Sequence, residues 1–295
     1  FTKKIKNYNF IKLDICNLSK LQKIIFKFKP TIIVHLAAES HVDRSIKEPS
    51  DFINSNIIGT YNLLTCFKYY LDKNKSKNTK NLFLHVSTDE VYGSLNKRSK
   101  PFNEKSNYLP NSPYSASKAS SDFLARAWHK TFNLPVIITH CSNNYGPWQF
   151  PEKLIPLMIY RGYKKMSMPV YGDGKNIRDW IFVEDHVRVL LSIIKKGKIG
   201  QVYNIGSGQE ISNIRLVKEI CKILDNKFPS TTKHLNLIHF VKDRKGHDFR
   251  YAILNNKVKK TFNFKKQYNF KDGLKLTVDW YLKNIDWLIS KSKNL

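Results

Sequence analysis

Cysteine is rare in this chain of 295 residues, and its four copies, Cys16, Cys66, Cys141 and Cys221, lie far apart. They form no CxxC pair and no Cys/His ligand spacing, which argues against a structural metal or a disulfide framework and for a reducing compartment. No apolar run approaches the ~18 residues of a membrane span, and no signal-peptide pattern opens the chain. The expectation is a cytoplasmic protein with no membrane partner and no metal. Glycine is missing from the first 58 residues, so no glycine-rich turn can lie there. The first residue is Phe1 rather than Met, which gives the expectation that the chain starts downstream of the start of its gene. Acidic residues are also few: 23 Asp and Glu stand against 51 Lys and Arg, for a formal charge of +28. The excess is mostly Lys and is spread along the chain. A nucleic-acid surface would gather it on one element with stacking aromatics, so no nucleic-acid partner is expected. The densest patch, Lys73 to Lys80, reads as a solvated loop.

What is present is a large apolar fraction, 41%, in alternating blocks. Asn9 to Leu13, Thr31 to Leu36, Leu82 to Val86 and Pro135 to His140 read as short buried strands. Helical stretches separate them near Leu18 to Phe28, Asp51 to Leu71 and Pro113 to Phe132. Strands alternating with helices predict right-handed βαβ units and an α/β fold with a doubly wound parallel sheet. From about Tyr145 the texture changes. NNYGP and YGDGKNIRDW carry turn chemistry, helices are expected near Glu184 to Lys196 and Ser212 to Leu224 with a strand at Gln201 to Ile205 between them, and Gly273 to Leu288 reads as a terminal helix. The expected division is residues 1–145 as a nucleotide-binding domain and 146–295 mainly as a smaller substrate lobe, with some segments returning to the first.

The stretch LFLHVSTDEVYG, Leu82 to Gly93, raises the chemical question. A strand buried on both faces ends in Thr88, Asp89 and Glu90, at the carboxyl end where open α/β sheets place their ligands. Side chains alternate along a strand, so both carboxylates can serve one substrate only if the chain turns there, and Tyr92-Gly93 makes a turn plausible. Thr and Asp at such a point also serve simply as caps. Further on, Tyr114 and Lys118 stand four apart on a helix, which puts a phenol and an ammonium on one face. A nearby cation lowers a phenol's pKa and makes it a usable base. Alone the spacing is common and describes a solvated pair; after a Ser/Thr-ended strand in a βαβ series it marks short-chain dehydrogenase chemistry.

HLAAESHVDRSI (His35 to Ile46), STDEVYG (Ser87 to Gly93), YSASKASSD (Tyr114 to Asp122), CSNNYGP (Cys141 to Pro147), FPEKLIP (Phe150 to Pro156), RDW (Arg178 to Trp180) and DRKGHDFRYA (Asp243 to Ala252) follow in order. Together they resemble the extended short-chain dehydrogenases, and within them the dTDP-glucose 4,6-dehydratases of the rhamnose pathway. The resemblance implies a Rossmann-like fold, NAD as cofactor and dTDP-glucose as substrate. It implies Tyr114 as the base at the C4 hydroxyl with Lys118 beside it, Thr88 on the C4 oxygen, Glu90 as the base at C5 and Asp89 as the acid at the departing C6 hydroxyl. Asp14 and Ile15 would flank adenine, and Leu36, Ala37, Ala38, Glu39, Ser40, Ser55 and Asn144 would complete the cofactor site. Ser40, Asn143, Lys153, Leu154, Pro169, Val170, Tyr171, Arg178, Asn213, Asp243, Arg244, Lys245, Gly246 and His247 would hold the nucleotide-sugar, with Arg178 and Arg244 offering forked donors to a pyrophosphate. A homodimer through the helices near Asp51 to Leu71 and Pro113 to Phe132 is implied as well.

One departure stands out. That fold opens with a strand, a GxxGxxG turn and a helix whose N-terminus receives the pyrophosphate, and none of these is present. Roughly 50 residues of the pattern, one to two strand-helix units, are missing. The chain by itself is therefore expected to hold NAD weakly or not at all, which puts its own turnover in question. The connection from Gly93 to Tyr114 is also shorter than the pattern. Two other readings stay open on sequence: a dehydratase or epimerase acting on a UDP-sugar, and a non-catalytic remnant that binds a nucleotide-sugar.

Overall fold

The computed structural model describes residues 7–74 and 80–292; most of the Lys73 to Lys80 patch lies outside them. The first half runs α1 (Leu18–Phe28), β1 (Ile32–His35), α2 (Val42–Lys47), α3 (Pro49–Phe52), a π-helical stretch Ile53–Ile58, α4 (Gly59–Lys73), β2 (Leu82–Thr88), a 3-10 turn Asp89–Tyr92, α5 (Pro113–Phe132) and β3 (Val136–Cys141). Then come β4 (Asn143–Tyr145), α6 (Leu154–Tyr163), β5 (Met168–Tyr171), β6 (Ile177–Phe182), α7 (Val183–Lys196), β7 (Val202–Ile205), β8 (Glu210–Ser212), α8 (Asn213–Lys227), β9 (Ile238–Val241), α9 (Asn256–Phe262), α10 (Phe270–Lys283) and α11 (Ile285–Ser292).

Strands β1, β2, β3 and β7 lie side by side in that order, all parallel. Every residue of β2 is buried, because helices cover both faces of the sheet. On one face Phe83, Val136 and Ile138 meet Leu21 and Ile25 of α1 and Leu63 and Phe67 of α4. On the other, Leu82, Leu84 and Ile137 meet Val189 and Ile193 of α7 and Val258 of α9. The alternation of Leu82, Phe83 and Leu84 between the two cores follows from the two-residue period of a strand. Beyond this sheet, β4 pairs with β6 in parallel, β6 with β8 antiparallel and β5 with β9 in parallel. Tyr145, Trp180, Phe182, Leu216, Ile220, Leu274 and Tyr281 belong to a further buried core packed around these strands. No helix of the described residues is long and apolar enough to cross a membrane.

Several sequence expectations need correction. Asn9 to Leu13 forms no strand: a strand exists through its ladder, and among the described residues nothing pairs with this stretch, whose Phe10 and Ile11 are exposed. The helix expected over Asp51 to Leu71 is interrupted by the π-helical stretch, which carries Asn56. That side chain accepts from Glu39 N at 2.8 Å and donates to Glu39 O at 3.0 Å and to Ser117 Oγ at 2.8 Å, pinning the loop after β1 to α5. The terminal helix breaks at Asn284, whose amide and backbone N–H both donate to Trp280 O, a local bond that competes with the helical ladder. Of the turn-rich segments, NNYGP contains β4 and YGDGKNIRDW runs into β6.

Candidate active site

The strand that ends in carboxylates does turn. Thr88 caps the 3-10 segment Asp89–Tyr92, its Oγ1 accepting from Glu90 N at 3.3 Å. Gly93 closes the turn with φ of 85°, and a Cβ there would come within 2.3 Å of Leu109 O, so the position requires glycine. Glu90 lines the main cleft, and Asp89 is buried beside it at 2% exposure with Oδ2 unpartnered. Their environments differ. Burial, then the charges of Glu90 and Asp179, hold the Asp89 carboxyl well above the usual range. Glu90 is raised by burial too, but Arg178, Lys153 and Arg244 favour its charged form. Both carboxyls thus hold a proton more tightly than a free one, Asp89 well above its usual range and Glu90 with three cations opposing the rise.

Helix α5 begins with a reciprocal cap: Ser112 Oγ accepts from Ser115 N and Ser115 Oγ accepts from Ser112 N, each at 3.0 Å, with Pro113 in the first turn. This fixes Tyr114 at the mouth of the helix, where it is 9% exposed. Its relation to Lys118 departs from the expectation. Lys118 Nζ donates to Val86 O at 2.9 Å, tying α5 to β2, rather than meeting the phenol. Burial, then the Glu90 and Cys141 charges, push the Tyr114 phenol well up, with Thr88 opposing, and burial pulls the Lys118 ammonium down. For each group desolvation is the largest cause of the shift, and neither appears among the charges acting on the other.

Ahead of α1, Asp14 is exposed and accepts from Cys16 N at 2.9 Å through Oδ1. Ile15 packs against Gly59 of α4, so it serves the core as well as any ligand. Leu36, at 58% exposure, and Ala37 lie open, while Ala38 and Glu39 are half-buried and Ser40 is exposed. Ser55 is half-buried on the π-helical stretch. Asn143 and Asn144 on β4 each leave a buried Oδ1 without a partner.

A cleft of about 600 Å³ opens beside Glu90, at the end of β2, and is lined also by residues of β4, β5 and β6. Of the residues expected there, Ser40, Asn143, Lys153, Leu154, Pro169, Val170, Tyr171, Arg178, Asn213, Arg244, Gly246 and His247 line it. Asp243 and Lys245 do not: Asp243 Oδ1 meets His247 Nδ1 at 2.6 Å and so positions that ring, and Lys245 faces solvent. Arg178 does not present a free fork. Its Nη1 donates to Ile177 O and its Nη2 to Asp248 O, at 2.8 and 2.9 Å, and its guanidinium stacks on the Tyr251 ring at 4.3 Å. It serves Asp89 and Glu90 as a fixed buried charge. Arg244 pairs with Asp43 across the cleft at 3.3 Å, and Lys153 Nζ donates to Ser40 O at 2.5 Å.

The profile of the GDP-mannose 4,6 dehydratase family matches residues 2–277. A probable dTDP-glucose 4,6-dehydratase of Sinorhizobium fredii is 50% identical over 285 residues, covering 96% of this chain and 81% of the relative. The dTDP-glucose 4,6-dehydratase of Haemophilus influenzae is 49% identical over 282 residues, 94% of this chain and 83% of its own. The chain belongs to the dTDP-glucose 4,6-dehydratase family. In three dimensions it is similar to the dTDP-glucose 4,6-dehydratase of Streptomyces venezuelae crystallised with NAD and TYD bound, with a TM-score of 0.88 at 40% identity, covering 96% of this chain and 82% of that one. The fold is accordingly the Rossmann-like fold of the extended short-chain dehydrogenases.

Four residues without an assigned role on sequence also line the cleft. Asp43, Ser112, Asp248 and Tyr251 line it. Asp43 lies in HVDRSI, and Asp248 and Tyr251 in DRKGHDFRYA, so their motifs were visible and their contacts were not. Tyr251 reaches Glu90 from 161 positions away, beyond any local periodicity.

Proposed function

We propose that this chain is a dTDP-glucose 4,6-dehydratase, an NAD-dependent hydro-lyase that converts dTDP-glucose to dTDP-4-keto-6-deoxyglucose and water. The observation that carries the reading is the carboxyl pair Asp89-Glu90 at the end of β2, one member disposed to hold a proton and the other flanked by three cations. Oxidation at C4 alone, as in an epimerase, needs no such pair; removing a C5 proton while expelling a C6 hydroxyl needs both.

Tyr114 receives the C4 hydroxyl proton as its phenolate, a form that a cationic nicotinamide beside it would favour against the burial that otherwise raises it, with Thr88 hydrogen-bonded to that oxygen. NAD, when bound, supplies the acceptor for the C4 hydride and the donor that returns it to C6. The C4 ketone acidifies C5, Glu90 takes the C5 proton and Asp89 gives its proton to the leaving hydroxyl. The unmet buried oxygens of Asn143 and Asn144 and the buried Tyr114 and Lys118 suit the amide and ribose of a nicotinamide nucleoside. Asp14, Ile15, Leu36 to Ser40 and Ser55 would hold the remainder. Lys153, Arg244, His247, Tyr171 and Asn213 supply the cations and ring that a nucleoside diphosphate rewards. In this reading residues 1–145 carry the cofactor and 146–295 mainly the nucleotide-sugar.

A homodimer is part of the proposal. Tyr61 and Tyr69 on α4 and Phe123 and Phe132 on α5 are exposed, with Tyr61 and Phe132 each packing on Trp128, an apolar strip fit for a two-fold helix bundle. The four unpaired cysteines suit the cytoplasm. The test is incubation with dTDP-glucose or UDP-glucose at NAD+ raised to saturation, which offsets the weak cofactor affinity expected from the sequence, with products identified by NMR. The 4-keto-6-deoxy sugar from dTDP-glucose is expected. A C4 epimer, or nucleotide-sugar binding with no conversion, would overturn the reading.

A further inference from the structure

We propose that Tyr251 is a positioning residue for Glu90: its hydroxyl, shared between Asp248 and Glu90, orients the Glu90 carboxylate and keeps it in the basic form that removes the C5 proton. The inference rests on the reading of Glu90 as that base.

The phenol is held rigidly. Tyr251 N donates to Ile177 O at 3.1 Å, which ties the segment to β6, and the ring lies under the Arg178 guanidinium at 4.3 Å. Its hydroxyl stands 2.5 Å from Asp248 Oδ2 and 3.4 Å from Glu90 Oε2. Asp248 is anchored in turn by Asn111 Nδ2, which donates to its Oδ1 at 2.6 Å. Among the described residues Tyr251 is the only hydrogen-bond partner of the Glu90 side chain. A tyrosine has one proton to donate, and here two carboxyl groups compete for it. Burial and the Glu90 charge hold the phenol well above its usual range, so it remains a donor.

The consequence is a hydrogen-bond exchange that follows Glu90's charge. While Glu90 is ionised it draws the hydroxyl toward itself; once it holds the C5 proton, the hydroxyl turns fully to Asp248. No covalent step is involved. The other groups acting on Glu90 are Asp89 in its own turn, the Tyr114 phenol on α5, Arg178 on β6, Lys153 ahead of α6, and Arg244 and Asp248 on the segment after β9. Arg178, Lys153 and Arg244 favour the carboxylate and Asp248 opposes it.

Two substitutions should act in opposite directions. Tyr251→Phe keeps the ring and its stacking but removes the donor; Asp248→Asn removes the competing charge and frees the hydroxyl for Glu90. Infrared titration of the unliganded protein reads Glu90 directly, its protonated carbonyl band being the one lost in Glu90→Gln. Tyr251→Phe should raise its midpoint by about one pH unit and Asp248→Asn should lower it. With dTDP-glucose and saturating NAD+, Tyr251→Phe should slow C5 proton exchange about tenfold or more while C4 oxidation, seen as bound NADH, stays within about twofold. Midpoints unmoved in both variants, or exchange and C4 oxidation falling together in Tyr251→Phe, would overturn the proposal. Failure of C4 oxidation in the unsubstituted protein would count against the dehydratase reading, whereas the infrared shifts decide the Tyr251 proposal independently.

Discussion

Adjacent carboxyl groups acquire different roles when their surroundings price the negative charge differently. Asp89 sits in a dry site facing other acids, and Glu90 sits at the cleft wall among Arg178, Lys153 and Arg244. Glu90→Gln should therefore still oxidise C4 but lose C5 proton exchange and product; normal product formation would remove Glu90 as the base. Asp89→Asn should slow loss of the C6 hydroxyl more than C4 oxidation, and equal slowing of both would reduce Asp89 to positioning. Tyr114→Phe keeps the packing and deletes the proton acceptor, so bound NADH should appear ~10² to 10⁴ more slowly in stopped flow. At this scale the sequence showed which residue types stand together over short spacing, as for Thr88 to Glu90 at the end of β2 and Tyr114 at the start of α5. It was silent where chemistry depends on who meets whom across the fold: Lys118 turning to Val86 O, Arg178 bonding to backbone carbonyls, and Tyr251 reaching Glu90.

Elements place these groups. The Ser112 cap is the hinge between the loop after Gly93 and α5, and it sets where Tyr114 stands. Ser112→Ala should cost about 1 kcal/mol of stability, read as a lower urea midpoint, and should slow C4 oxidation more than it weakens dTDP binding. Slowing of both alike would assign the cap to stability alone. Helices α1 and α5 and strands β2, β3 and β7 were readable because long amphipathic runs and buried strands impose their periods on the sequence, whereas β1, expected to be buried, lies at the edge of the sheet with Ile32 and Val34 exposed. The short strands β4, β5, β8 and β9 were not, since three or four residues carry too little periodicity and their partners are remote. Asn9 to Leu13 has a strand's composition and no neighbour to complete it, a property of the sheet rather than of the segment.

The whole molecule adds a pH dependence. Burial, then the charges of His85 and Lys118, lowers His35 to about 2, and burial alone lowers His186 to about 4, both from 6.5. Such a histidine is neutral when folded and takes up a proton when unfolded, so its contribution to stability is whole above 6.5 and falls as the pH drops toward its folded value. Each contributes at most about 1.4 kcal/mol per pH unit across that window. Asp89, raised well above its ordinary value, acts with the opposite sign as the pH rises above 3.8. The histidine contribution is therefore the difference between His186→Gln and the parent. The variant's urea midpoint should fall less steeply from pH 6.5 to 4, and an unchanged slope would show that His186 charges freely in the folded state.

The central claim is that one cleft both oxidises C4 and eliminates across C5 and C6. It is tested most directly with dTDP-glucose carrying deuterium at C4, incubated with the protein and saturating NAD+ in ordinary water. The account predicts a 4-keto-6-deoxy product with that deuterium at C6 and a solvent proton at C5. Deuterium retained at C4 in an epimerised sugar would contradict it, as would deuterium lost to solvent with the C6 hydroxyl still in place.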